Sequence, residues 1–240
     1  MLRVYVIGIG PGNPELLTGA ARKAIADSTI LAGDQRMVTQ FSEGKKAVYP
    51  TIKLSELEAV AGKADPAADV LGILVSGDVG FFSLARTIAG KLPECEVQRF
   101  CGISSLVYFA SRLQLSWDDA KIISMHGRQQ NLIAAVLEHK KVFSLTGGEN
   151  SPQALCRQLC EQGLGEVIVH VGSNLSYPEE SIISGTAAEI ARQEFPSLSV
   201  MMILNNAAGT VMRKTVHGLD DSLFLRGKAP TVSYTHLTLP

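Results

Sequence analysis

The apolar positions of the chain fall into short unbroken runs, separated by longer stretches in which they recur every three or four residues. Runs rich in β-branched residues at 4–9, 29–32, 70–76, 96–100, 122–124, 141–145, 166–171 and 198–204 predict strands. Helical spacing over 14–26, 54–61, 82–92, 104–113, 130–138, 152–161 and 186–192 predicts helices between them. Strands without polar alternation are buried on both faces, and their alternation with helices predicts an α/β fold of mainly parallel sheets covered by helices. Asn13 before Pro14 reads as an N-cap followed by a first-turn proline, and Glu15 suits the positive end of the helix dipole.

The segment 114–121, "QLSWDDAK", is polar between two periodic stretches and is the expected boundary between two α/β domains, 1–115 and 120–217. Beyond that the period is lost. The final "APTVSYTHLTLP" follows a polar "LRGK", and 218–240 is expected to be a tail whose end is foreign to the fold. No internal repeat or low-complexity segment interrupts the pattern.

Composition narrows the classes. The 240 residues are 46% hydrophobic and 19% charged, enough to bury a substantial core. No apolar run approaches the roughly 18 to 20 residues of a membrane span. The run 4–9 is short and preceded by a single basic residue, a poor signal-peptide core, so a cytoplasmic location is the default. A formal net charge of −1 argues against broad capture of nucleic acid. The four cysteines, at 95, 101, 156 and 160, lack metal-site spacing; Cys156 and Cys160 read as buried thiols on one helix face, and no metal site is expected.

Chemistry is concentrated in the loops after strands. The first, Gly8-Ile9-Gly10-Pro11-Gly12-Asn13, approaches a dinucleotide fingerprint but has Asn13 at the third glycine and a proline, with no N–H to give, where a phosphate-facing amide would help. It stays open as a phosphate cradle, a tight turn or a rigid cleft wall. "VSGDVGFFS" sets Asp78 between Gly77 and Gly80 at a strand end, where α/β proteins bind ligands. "RFCGISSL" offers Ser104 or Ser105 as a helix cap or a ligand contact. "ISMHGRQQN" places His126 and Arg128 in one strand-end loop; "VFSLTGGENSP" and "VGSNLSYPEE" also follow strands. There is no G-x-S-x-G elbow and no Walker-type lysine, which points to a site that positions and desolvates its ligands with backbone groups.

The ordered set "VIGIGPGNPELLT", "AGDQR", "SGDVGFFS", "GISSL", "SMHGR", "LTGGENSP" and "SNLSYPEE", covering about residues 1–220, resembles the tetrapyrrole methylase family, and most closely its branch acting at C-5 of cobalt-precorrins in cobalamin biosynthesis. The "HGR" and "GGENSP" segments carry the likeness to that branch. The resemblance implies two α/β domains with a deep cleft, a homodimer, and S-adenosylmethionine as methyl donor. Carried over by position, Gly77, Asp78, Phe81, Ser104, Ser105, Leu145 and Thr146 are the implied cofactor contacts. Gly10, Pro11 and Gly12 would line the tetrapyrrole side.

The ring of such a substrate bears several carboxylates, so Arg36, Arg86, Arg112 and Arg128 are candidate partners. His126 is expected to orient a carboxylate first and to remove a proton second. The chain departs from the family in Val79, where a proline is frequent, and in Ser173, where an acidic residue is frequent. "DDSLFLRGKAP" resembles a junction into a second domain that methylates C-15 and decarboxylates. The rival expectations are another tetrapyrrole position, a modified histidine of a translation factor, a nicotinamide-dependent oxidoreductase resting on Gly8–Asn13 alone, and a non-catalytic ligand-binding protein.

Overall fold

Strand β4 (Val70–Val75), VLGILV, is apolar without alternation and buried at all six positions, as a central strand sandwiched between helix layers must be. In the computed structural model, which describes residues 1–127 and 130–209, it lies next to β1 (Leu2–Gly8) and β2 (Ile30–Ala32). With β3 (Ala47–Tyr49) and β5 (Cys95–Phe100) they make a wholly parallel sheet in the order β3-β2-β4-β1-β5. One face is covered by α1 (Gly19–Asp27) and α2 (Gln35–Gln40), whose Ala24, Ile25 and Val38 meet Ile7, Leu31 and Leu74. On the other, α3 (Leu54–Lys63) and α4 (Ala85–Lys91) bring Leu57, Val60 and Ile88 against Val6, Leu71 and Ile73.

The second sheet runs β6 (Lys121–Ser124), β7 (Lys141–Leu145), β10 (Ser199–Leu204), β8 (Ile168–Ser173), β9 (Ser181–Thr186). Helices α6 (Leu132–Glu138), α7 (Pro152–Glu161) and α8 (Ala187–Ile190) cover one face. The opposite face is covered by α5 (Ser105–Leu113), which follows β5 of the first sheet in the chain. Its Leu106, Phe109 and Ala110 pack on Phe143, Leu175, Val200 and Met202.

The α/β class is as expected, with three amendments. Only β6–β7 is parallel in the second sheet; β7–β10, β10–β8 and β8–β9 are antiparallel, because β8 turns straight into β9 through 174–180 with no crossover helix. The predicted helix 14–26 is two elements: a 3-10 turn at Pro14–Leu16, capped by Asn13, and α1, which restarts where the Thr18 hydroxyl accepts from the Ala21 N–H. The helix expected from 82 starts at Ala85, since Phe82 takes a left-handed φ of 49°. Among the described residues no helix is long and apolar enough to cross a membrane. The tail 218–240, including the "DDSLFLRGKAP" junction, lies outside the described residues, as does Arg128.

Candidate active site

Parallel strands present their C-terminal ends along one edge, and there the loops after β1, β4 and β5 are locked together. Gly10 and Gly77 exchange two backbone hydrogen bonds, of 3.1 and 2.8 Å. Gly102 sits so close that a Cβ there would lie 2.3 Å from the Gly77 carbonyl oxygen and 2.6 Å from that of Gly8, so only glycine lets the three backbones meet. The Asp78 carboxylate ties the knot. One oxygen accepts from the Gly80 N–H at 2.8 Å and the other from the Gly102 N–H at 3.1 Å.

Across from this knot, the second sheet contributes the ends of β6, β7 and β8 and, because β10 runs antiparallel, the beginning of β10. Val200 is opposite Leu145 and Ser199 opposite Ser173. A chain of buried hydroxyls braces these ends. Thr146 Oγ1 donates to the Ser199 carbonyl at 2.7 Å and Ser199 Oγ to the Pro196 carbonyl at 2.7 Å. The 2.7 Å contact between Ser173 and Ser199 is therefore donated by Ser173. With its proton taken, the Thr146 hydroxyl offers the space in front of it lone pairs only.

Between the two sets lies a cavity of about 270 Å3. Gly77, Phe81, Ser105, Leu145 and Thr146, expected as cofactor contacts, all line it. So do Pro11, Arg36 and His126, expected on the substrate side; one cavity gathers both groups. Asp78 and Ser104 are not on its wall. Asp78 is turned inward as described, and buried Ser104 is the N-cap of α5, its hydroxyl accepting from the Val107 N–H at 3.2 Å. Gly10 and Gly12 shape the first loop: Gly10 through Gly77, and Gly12 through a carbonyl that accepts from Gln40 Nε2 at 3.3 Å. Arg36 keeps an ion pair with Asp34 at 3.4 Å, while Arg112 is engaged elsewhere.

Sequence reasoning missed Phe82, Leu175 and the run 197–200, all on the wall. The last was missed because a parallel second sheet would send the start of β10 to the opposite edge; an antiparallel pairing brings it here.

His126 Nδ1 donates to the Thr146 carbonyl at 3.2 Å. That leaves Nε2 as a lone-pair nitrogen in the neutral ring. A Cβ at Gly147 would stand 2.1 Å from Nδ1, so the "GG" turn makes room for this arrangement.

At the rim, Glu180 joins three elements. It accepts from Tyr108 Oη of α5 (2.7 Å), Arg112 Nε (2.9 Å) and the Ser176 N–H (2.7 Å), and Ser176 Oγ accepts in turn from the Asn13 N–H (3.0 Å) of the first loop. Burial pushes the Glu180 carboxyl up, but the bonds from Tyr108, Ser176 and Arg112 outweigh it and hold the group below its ordinary value. Burial first, then the hydrogen bond to Glu180, moves the Tyr108 phenol the other way.

Residues 3–191 match the family model of the tetrapyrrole (corrin/porphyrin) methylases. The chain is 30% identical over 205 residues to a "Probable cobalt-precorrin-7 C(5)-methyltransferase" of Methanocaldococcus jannaschii, covering 82% of this chain and 95% of that protein. It is 28% identical over 226 residues to a precorrin-6Y C(5,15)-methyltransferase [decarboxylating] of Sinorhizobium sp, covering 91% of this chain and 54% of that one. The fold matches the crystal structure of uroporphyrin-III C-methyltransferase from Thermus thermophilus complexed with S-adenosylhomocysteine, with a TM-score of 0.69 at 20% identity over 85% of this chain and 97% of that one.

Proposed function

The chain belongs to the tetrapyrrole methylase family and is an S-adenosylmethionine-dependent C-methyltransferase, and we propose that its acceptor is a cobalt-precorrin, methylated at C-5 in cobalamin biosynthesis. The observation that carries this reading is the similarity to the C(5)-methyltransferase of Methanocaldococcus jannaschii, which spans 95% of that protein. We further propose that the product is passed to a C-15 methylating and decarboxylating activity. Support for that comes from the Sinorhizobium relative, whose name joins both positions in one polypeptide.

The cavity suits the cofactor in its donor set. Phe81, Leu145, Leu175 and Val200 give apolar faces for an adenine ring and a thioether chain. The Thr146 hydroxyl, its proton committed to Ser199, can accept from the amino and hydroxyl hydrogens of a nucleoside and its amino-acid arm. Gly77 and Ser105 would border it from the first sheet. When bound, S-adenosylmethionine supplies a methyl group on a positively charged sulfur, open to in-line attack by a ring carbon. The protein holds the partners aligned and dry, which is worth roughly 7–11 kcal/mol of barrier in favourable cases.

The first-loop proline fits this role: Pro11 is a stiff wall of the cavity, and the neighbouring Gly10 amide is already bonded to Gly77. The Nδ1–H bond to Thr146 supports the second of the two roles expected for His126, proton removal. With Nδ1–H committed to the Thr146 carbonyl, Nε2 is the ring nitrogen left to take a proton. We therefore assign His126 to accepting the proton released from the methylated ring. His126→Gln is expected to lower kcat by about 100-fold, with S-adenosylhomocysteine affinity within twofold. Unchanged single-turnover rates would remove His126 from the chemistry.

Asp78 acts through the loop it organises. Asn there offers one acceptor to two N–H donors and turns its own amide towards the other, so Asp78→Asn is expected to weaken S-adenosylhomocysteine about tenfold. Calorimetry giving wild-type affinity would detach the loop from the cofactor site. The acceptor itself is tested by incubating cobalt-precorrin-7 with enzyme and S-adenosylmethionine. One added methyl is expected by mass spectrometry, placed at C-5 by NMR. A methyl at any other carbon would refute the position, and a thermal shift with NAD(H) but none with S-adenosylhomocysteine would refute the reaction.

A further inference from the structure

The pair Phe81–Phe82, packed edge to face with ring centroids 5.1 Å apart, is a partition. On its other side lies a second cavity, of about 430 Å3, which the same two rings also line. The remaining wall is the loop 79–83, Ile122 of β6, and the side chains of Arg86 from α4 and Arg99 from β5. Among the described residues no carboxylate lines it. Asp78, adjacent in the chain, has both oxygens committed to backbone N–H groups. Arg99 donates one bond to the Ala85 carbonyl at 3.1 Å, which fixes its head near the start of α4. The Arg86 guanidinium has no hydrogen-bond or ion-pair partner among the described residues.

Two guanidinium groups facing one concave space without a counter-charge concentrate positive potential there, and their forked donors match a carboxylate. We propose that this cavity is an anion subsite that takes a peripheral carboxylate of the acceptor ring, on the side of Phe81–Phe82 away from the methyl donor. The carboxylate's identity rests on the tetrapyrrole reading above; the subsite itself rests on the arginine pair and the cavity. It explains why two aromatic rings stand between two pockets. A flat macrocycle laid against that wall can reach past it with a charged arm.

The test uses the full chain with Arg86→Gln, Arg86→Lys and the double variant Arg86→Gln/Arg99→Gln. Arg86→Gln carries the main weight, because it disturbs no internal bond. It is expected to raise KM for cobalt-precorrin about tenfold with kcat within twofold and S-adenosylhomocysteine affinity unchanged, while Arg86→Lys recovers most of the loss. Direct binding of uroporphyrin, a polycarboxylated ring, followed by fluorescence quenching, should weaken by the same factor. Wild-type KM and uroporphyrin affinity in the double variant would overturn the proposal. So would inorganic phosphate binding that is lost in Arg86→Gln while KM stays put, since the cavity would then serve a free anion. If uroporphyrin binding depends on Arg86 but the wild-type protein methylates no tetrapyrrole, the subsite stands and the proposed reaction falls.

Discussion

Gly102→Ala is expected to destabilise the protein by about 3 kcal/mol, at the upper end of overpacking effects. The added methyl has no side chain to push aside. Its nearest neighbours are backbone atoms of Gly77 and Gly8, at 2.3 and 2.6 Å; Gly8 ends β1 in the parallel sheet and Gly77, just past β4, is bonded to Gly10. Relief requires the loops to separate, which would break the Gly10–Gly77 bonds and pull Asp78 off the Gly102 amide. S-adenosylhomocysteine binding should therefore fall with stability. Gly62→Ala in α3 is the control: nothing lies within 4 Å of its Cβ position, and it should stabilise by about 0.5–1 kcal/mol. Urea titration giving Gly102→Ala the wild-type midpoint would mean that the three loops do not meet as described.

Glu180→Ala should cost about 2–3 kcal/mol, since it strips a charged acceptor from three donors at once. Tyr108 Oη and the Ser176 N–H are half-buried and would be left facing each other, and the first loop would lose its tie through Ser176 and Asn13. The same carboxylate predicts a pH dependence. Its folded value lies below the ordinary 4.5, so the unfolded chain binds the proton more readily. The stabilisation is complete above about pH 4.5 and is lost as the pH falls through the lowered folded value. Glu180→Gln should flatten that part of the stability profile measured by chemical denaturation between pH 6 and 3. A slope identical to wild type would show that the carboxylate is not held as its partners imply.

How much of this was legible beforehand depended on burial. The central strands, β4 throughout and β1 beyond Arg3, are apolar on both faces and could be read from composition alone. Strands β3 and β9 escaped because each is the edge of its sheet: AVY is three residues long, and SIISGT is only partly covered, so neither shows a clean period. Helix α2 has six residues, too short for a repeat, and its only local signal is the Asp34 cap. In the site, the strand-end loops were legible because α/β chemistry collects there. What could not be read was pairing at a distance. Asp78 reaches across 24 residues to Gly102, and Arg99, half of the second cavity's charge, is exposed next to exposed Gln98 near the end of CEVQRF, where it reads as an ordinary solvent-facing residue.

Helix α5 carries a practical lesson for chimeras between relatives. It leaves the first sheet in the chain, yet it puts Leu106, Phe109 and Ala110 under Phe143, Val200 and Met202 of the second. A crossover placed in 114–121 would marry an α5 from one parent to a sheet surface from another, and mismatches would fall in the buried layer between them. A crossover between β5 and α5 keeps the helix with the sheet it shields, and libraries built that way should yield the larger share of folded progeny.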